Sequence, residues 1–266
     1  MTDLSALIDI ERHRLTDADW LAEKRNELVT KGAVQMRTFL QPDALASLQK
    51  ESAMGLSKAY FKPQCHNIYL DEGDEAHPDC HIRNRLVTSS KGCITDDQIA
   101  EVSVLKQIYH HADFISALCF ILNEDALYPY ADSLSSVNIH YARRGEELNW
   151  HFDNSSFAVT LMIQPAIVGG AFEYVRDVRN ADKGEMGFIQ AEALVDGRQA
   201  ADQLCLNAGD LLLFRGRNSL HRVTPVEDDS TRQLAVLAYN SQPGISLSET
   251  AQMTFFGRTS RPIPAV

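Results

Sequence analysis

Apolar and polar positions alternate along the second half of the chain in short runs that are typical of β-strands. Around Asn138 the alternation places this residue and His140 on one face, and Ile139 and Tyr141 on the other. Further strand-like runs, separated by Gly-, Asn- and Asp-containing turns, cover residues 157–164, 171–175, 211–214, 219–223 and 232–240. The pattern predicts that the strands of residues 134–241 form the core.

The first half of the chain has helical spacing instead. Residues 16–31 begin with a cap-like Thr-Asp-Ala-Asp and end before Gly32, and a second amphipathic helix runs from 41 to about 57. Residues 96–123 indicate two helices, with a break at Ala112–Asp113. Residues 66–70 indicate a strand. The acidic run that follows this strand indicates a solvated loop that can also form part of a lid.

We therefore predict one domain over residues 1–266, mainly β with flanking helices. Residues 1–133 would form a helical flank with edge strands and a lid-like loop, 134–241 the core and 242–266 a tail. The length is ordinary for a single all-β domain. Phe255–Phe256 in the tail would cap the pocket or dock the tail, and docking is favoured.

Composition narrows the possible partners. A net charge of −11 argues against a nucleic-acid partner, because phosphate binding needs a basic surface. The five cysteines are scattered and odd in number, which indicates reduced thiols rather than a disulfide framework. No apolar run has the length of a membrane span, and the N-terminus lacks the basic and apolar segments of a signal peptide. We expect a cytoplasmic protein without a membrane partner.

Four residues on strand-like segments suggest a metal site. His151 and Asp153 stand at i and i+2, so in an extended strand their side chains share one face. His221 and Arg232 follow on later strands. Two imidazoles and one carboxylate on one face of an octahedron make the facial triad of non-haem Fe(II) sites. A lone His-x-Asp pair is usually structural, but the ordered set favours a metal centre.

This set resembles the signature of the 2-oxoglutarate-dependent Fe(II) oxygenases, which have a double-stranded β-helix (jelly-roll) fold. A longer run looks like the branch that contains the radical halogenases of free amino acids, such as lysine, and their hydroxylase relatives. The matching segments cover Asn149–Phe157, Leu161–Gln164, Gly169–Val175 and His221–Val226.

The resemblance implies a dioxygenase that uses Fe(II), 2-oxoglutarate and O2, and that releases succinate and CO2. The iron ligands would be His151, Asp153 and His221. Arg232 would bind the distal carboxylate of 2-oxoglutarate, because its planar fork suits a carboxylate and keeps its charge. Further contacts to this cosubstrate would come from Thr224 and from Asn138 or Tyr141, of which the last two are equally compatible with packing.

Asp153 bears on the reaction type. The halogenases that the chain resembles have a small residue at this position, which frees a coordination site for chloride. The carboxylate here therefore favours hydroxylation of an unactivated C–H bond.

The substrate would be a small molecule, and the resemblance favours a free polar or cationic amino acid. Candidate substrate contacts, each equally or more simply explained as surface pairs or packing, are Arg83, Arg85, Trp150, Asn154, Ser155 and Glu173. Open alternatives are desaturation or cyclisation of another metabolite, and a non-catalytic metal-binding jelly roll. A zinc site among Cys65, His66, His77, Cys80 and His81 is disfavoured, because the spacing matches no standard ligand pattern.

Overall fold

The structure is a computed structural model that describes residues 3–260. Its α-helices within this range are Ala18–Lys31 (α1), Pro42–Gly55 (α2), Val104–Tyr109 (α3), Ala112–Leu122 (α4), Phe188–Val195 (α5) and Glu249–Phe256 (α6). Across the same range, no helix has both the length and the apolar character needed to cross a membrane.

The strands fall into three antiparallel sheets. The strands of the first half are Ala33–Met36 (β1), Tyr60–Phe61 (β2), Gln64–Asn67 (β3), Leu86–Ser89 (β4) and Gly92–Ile94 (β5). The later strands are Val137–Ala142 (β6), Leu148–His151 (β7), Ala158–Gln164 (β8), Phe172–Val175 (β9), Asp202–Leu204 (β10), Leu211–Phe214 (β11), Leu220–Val223 (β12) and Arg232–Leu237 (β13).

The two larger sheets form the jelly-roll core that the sequence predicts. The seven-stranded sheet has the order β1-β11-β8-β13-β6-β5-β2, and the four-stranded sheet has the order β10-β9-β12-β7. Inward side chains of both sheets, such as Thr160 and Leu234 from the first and Phe172 and Val223 from the second, line one cavity between them. Strands β3 and β4 form a separate hairpin.

Helices α1–α4 cover the outer face of the seven-stranded sheet. α1 begins at Asp17, whose side chain accepts a hydrogen bond from the backbone N–H of Trp20, and it ends at Gly32 in the left-handed conformation (φ 73°). Trp20 and Leu28 are buried in the main core with apolar residues of α2, α3 and α4. This packing leaves the inner face of the sheet free to line the cavity.

The end of one strand and the extent of one helix differ from the prediction. The predicted strand at 66–70 ends at Asn67, because the Asn67 side-chain carbonyl accepts the N–H of Tyr69 and turns the chain. The predicted first helix of 96–123 is only a 3-10 turn at Asp96–Gln98, which a capping box between Thr95 and Gln98 closes. α3 then starts at its own cap, Ser103.

Candidate active site

The pairing of β7 with β12 brings the two predicted histidine ligands together. His151 and His221 are direct cross-strand partners, and their ring centroids are 4.1 Å apart. Asp153 follows β7 at i+2, so its carboxylate reaches the same side as His151. Within residues 3–260, these three side chains form the group of metal-ligating residues that could hold an ion, with ligand atoms within 4.8 Å of one another.

Backbone carbonyls orient both imidazoles for metal binding. His151 Nδ1 lies 2.8 Å from the carbonyl oxygen of Asn149, and His221 Nδ1 lies 2.9 Å from that of Ser219. Because a carbonyl can only accept, each Nδ1 carries the proton and each Nε2 presents its lone pair. Both Nε2 atoms face Asp153 Oδ1, at 3.6 Å from His151 and 3.5 Å from His221.

Asp153 has the features of a ligand that lacks its ion. Its Oδ2 is buried and has no hydrogen-bond partner in the described chain. A buried carboxylate oxygen without a partner is costly, so its position needs a cation. The carboxylate also lies directly over Gly216, where an added Cβ would come within 2.5 Å of Asp153 Cγ. The donor set and the orphaned oxygen therefore fit a divalent metal.

Burial and neighbouring charges shift the pKa values of His151 and Asp153 toward their metal-binding forms. Burial, reinforced by His221, lowers the pKa of His151 to about 3. Burial alone would raise the pKa of Asp153, but the neighbouring His221 and His151 outweigh it and lower the pKa below its usual value. The site thus combines a neutral His151 imidazole with an ionised Asp153 carboxylate.

Arg232 lies in the wall of the same cavity, which has a volume of about 300 Å³. Arg232 is buried, its Nε donates to the carbonyl of Gly170 at 3.0 Å, and burial lowers its pKa to about 10. Among residues 3–260 its terminal nitrogens make no hydrogen bond or ion pair to protein. They are therefore free for a carboxylate ligand, for which the guanidinium fork is suited.

Three other predicted cosubstrate contacts lie away from the cavity wall. Asn138 uses its side-chain nitrogen locally, on the carbonyls of Leu134 at 2.6 Å and Val137 at 2.9 Å. Tyr141 points to the opposite face of β6, because side chains alternate along a strand. The Tyr141 hydroxyl donates to the carbonyl of Ser52 at 2.8 Å. The Thr224 hydroxyl accepts the N–H of Ala171 at 3.0 Å.

The predicted substrate contacts are also placed outside the cavity. Arg83 pairs with Asp71 at 2.6 Å and Arg85 pairs with Asp196 at 2.8 Å. On the outer face of the smaller sheet, Glu173 pairs with Arg222 at 2.7 Å. The Arg222 guanidinium also lies 4.7 Å from the ring of the buried Trp150. Asn154 and Ser155 are exposed beyond the metal group. Each of these side chains therefore has the structural environment of a surface pair or packing residue.

The cavity wall contains further residues besides the metal group and Arg232. The cavity is lined in part by Lys91 on the turn before β5, by His140 on β6, and by His66 and Phe255. The alternation along β6 already separated His140 from Tyr141, but it did not indicate which face looks inward. In the tail Phe256 is buried, as docking predicts, while the adjacent Phe255 lines the cavity.

The possible zinc ligands of the 65–81 region are dispersed. His66 lies 2.8 Å from the hydroxyl of Ser89, whereas His77 and His81 stack on each other with ring centroids 4.1 Å apart. Cys65 and Cys80 are exposed thiols. Their placement agrees with the loop interpretation.

Solved structures share this architecture at low sequence identity. The epimerase SnoN from nogalamycin biosynthesis, described as non-haem and α-ketoglutarate-dependent, is 13% identical with a TM-score of 0.62, covering 93% of this chain and 91% of that one. HygX from Streptomyces hygroscopicus, with nickel, 2-oxoglutarate and hygromycin B bound, is 13% identical with a TM-score of 0.56, covering 90% and 96%. A prolyl hydroxylase from Trichoplax adhaerens is 14% identical with a TM-score of 0.53, covering 85% and 95%. At these identities the likeness concerns the fold.

The jelly roll and its His-Asp-His group together define a 2-oxoglutarate- and Fe(II)-dependent oxygenase. The sequence profile of the halogenase D family matches residues 16–254, so the chain belongs to that family. No curated protein sequence matches the chain at the significance required.

Proposed function

We propose that this protein is a hydroxylase that acts on an unactivated C–H bond of a small molecule, in particular a free amino acid, and releases succinate and CO2 from 2-oxoglutarate. The observation that carries the proposal is Asp153, a carboxylate at the third position of the metal group. The family match and the small cavity, about 300 Å³, support a small substrate.

The three ligand side chains would hold Fe(II) through His151 Nε2, His221 Nε2 and an oxygen of Asp153. When bound, iron supplies the oxidative chemistry by activating O2 at the expense of 2-oxoglutarate. The chain contributes orientation, since the carbonyls of Asn149 and Ser219 fix both imidazoles. It also excludes water, since apolar side chains from both sheets form most of the cavity wall.

Arg232 would bind the distal carboxylate of 2-oxoglutarate. It lies in the cavity wall that also contains the metal group, and its Nε contact with Gly170 fixes the plane of the guanidinium. Asn138, Tyr141 and Thr224 already satisfy backbone groups, so we assign the anchoring to Arg232 alone.

Asp153 favours hydroxylation over halogenation within this family. A carboxylate ligand occupies the coordination position that halide binding requires, and it brings a negative charge that repels a second anion. The unpartnered Oδ2 is consistent with Asp153 as a ligand rather than a surface residue.

The experiment is succinate formation by anaerobically purified, Fe(II)-loaded protein given 2-oxoglutarate, O2 and a panel of free amino acids and related acids. The expected result is strong stimulation by one compound and a product that contains one additional oxygen atom. Asp153→Ala is the matched control and should lose this activity. A chlorinated product in the presence of chloride would overturn the hydroxylase assignment, and a product lacking two hydrogens would indicate desaturation or cyclisation instead.

A further inference from the structure

A lysine and a histidine meet in the wall of the cavity. Lys91 Nζ lies 2.9 Å from His140 Nδ1 and 3.2 Å from His140 Nε2. Burial, together with the Lys91 charge, holds the pKa of His140 well below its usual value. The imidazole is therefore neutral and accepts a hydrogen bond from the ammonium group. A neutral imidazole supplies no negative charge to Lys91, and burial lowers the pKa of Lys91 itself. A bound anion would favour the charged form of the lysine.

Lys106, a buried lysine, has the partners that Lys91 lacks. Lys106 is 4% exposed and pairs with two carboxylates, Asp96 at 3.0 Å and Glu101 at 2.6 Å. No carboxylate among residues 3–260 lies within ion-pairing distance of Lys91. Because an enclosed ammonium without a counter-ion is costly, the position of Lys91 suits a bound anion.

The strand order places this pair between Arg232 on β13 and the edge strand β2. The sheet runs β13-β6-β5-β2, and these strands contribute Arg232, His140, Cys93 and Tyr60 to the wall in that order, with Lys91 directly before β5. Tyr60 and Lys62 also line a second groove, against α6, that adjoins the cavity.

The charges on the cavity wall favour an anionic molecule. Lys62, Lys91 and Arg232 contribute positive charge, and Asp153, a metal ligand, is the only acidic side chain of the described wall. Glu173, which could have received an amine, pairs with Arg222 outside the cavity. The interior is therefore basic although the whole chain carries a net charge of −11.

We propose that Lys91 and His140 bind the carboxylate of the primary substrate, and that this substrate is an organic acid without a cationic side chain. The inference rests on the proposed function and specifies its substrate class. Within that function, the inference favours an amino acid that is recognised through its carboxylate. It disfavours a lysine-like substrate, because the side-chain ammonium group of such a substrate would lie near Lys91 and Lys62 and would have no carboxylate to pair with.

The test compares acids with their amides on anaerobic Fe(II)- and 2-oxoglutarate-loaded protein. Dissociation constants are measured by calorimetry for leucine and leucinamide, for hexanoate and hexanamide, and for lysine against norleucine. The variant is Lys91→Met, which keeps the side-chain length and removes the charge. Lys58→Met, at an exposed lysine outside the cavity, is the matched control.

We expect at least one acid to bind about tenfold or more tightly than its amide, as for a charge-assisted hydrogen bond, and this preference to disappear in Lys91→Met but not in Lys58→Met. Lys91→Arg, which keeps the charge, should retain part of the preference. Equal binding of acids and amides, an unchanged preference in Lys91→Met, or tighter binding of lysine than norleucine would each overturn the proposal.

Binding of 2-oxoglutarate without substrate is measured first in every variant. Normal binding by Lys91→Met shows that the variant is folded and that the cosubstrate site is intact. If 2-oxoglutarate binding weakens about tenfold in Lys91→Met, Lys91 belongs to the cosubstrate site and the proposal is wrong. If the unmodified protein itself fails to bind 2-oxoglutarate, the proposed function fails, which this order of measurement separates from failure of the substrate assignment.

Discussion

Gly216→Ala should weaken metal binding although Gly216 is not a ligand. A Cβ at this position would lie 1.8 Å from Asp153 Oδ2, 2.5 Å from Asp153 Cγ and 3.0 Å from Asp153 Cβ. The backbone at Gly216 is not in the left-handed region, so alanine itself is tolerated there. The conflict is thus confined to the Asp153 side chain, which must rotate away from both histidines.

The substitution should reduce Fe(II) affinity more than it reduces the stability of the metal-free protein. Displacing the carboxylate should reduce Fe(II) affinity by about 10- to 100-fold, which corresponds to about 1.4–2.7 kcal/mol. The metal-free protein should lose less, about 0.5–1.5 kcal/mol, as for a strained side-chain rotamer. Gly73→Ala is the control, because its added Cβ would meet only Asn84 at an ordinary 3.4 Å.

The assay is anaerobic calorimetric titration of Fe(II) in the presence of 2-oxoglutarate, with a thermal melt of the metal-free protein. A double-mutant cycle isolates the mechanism: in an Asp153→Ala background, Gly216→Ala should have almost no further effect on affinity. Wild-type affinity in Gly216→Ala would refute the reasoning. An equal loss in the Asp153→Ala background would do so as well, because the effect would then come from the backbone.

Three further outcomes are expected. Arg232→Lys keeps the charge but loses the fork, so the dissociation constant for 2-oxoglutarate should rise about tenfold by calorimetry; unchanged binding would assign the cosubstrate carboxylate to another group. Tyr141→Phe should leave 2-oxoglutarate binding unchanged but cost about 0.5–1.5 kcal/mol in denaturant unfolding, because the carbonyl of Ser52 loses its donor. In the metal-free protein, the pKa of His151 is lowered to about 3 from 6.5. Between these two pH values His151 is therefore protonated in the unfolded state but not in the folded state. This contribution to stability is fully present above pH 6.5 and is lost by up to about 1.4 kcal/mol per unit as the pH falls toward 3. His151→Gln should therefore flatten the decline in melting temperature between about pH 7 and 5, and an identical slope would contradict the assignment.

Much of this protein is determined locally and was predicted from the sequence. The period of two along the strands predicted a β-rich core, and the resemblance of the motif set implied the jelly roll. The spacing of His151 and Asp153 put both side chains on one face. Helix α1 was predicted closely, because its Asp17 cap and Gly32 stop act within a few residues of the helix. These features depend on backbone geometry and on residues close in sequence, so they can be inferred before the tertiary structure is known.

Only the tertiary structure decided which faces look inward and which distant residues meet. Alternation separates His140 from Tyr141, but the packing of β6 between the helices and the smaller sheet determines that His140 reaches the cavity and Tyr141 does not. The contact of Lys91 with His140 joins positions 49 residues apart. The register of β7 against β12 likewise sets His221 opposite His151. Strand pairing and burial arise from the whole chain, so no local pattern specifies them.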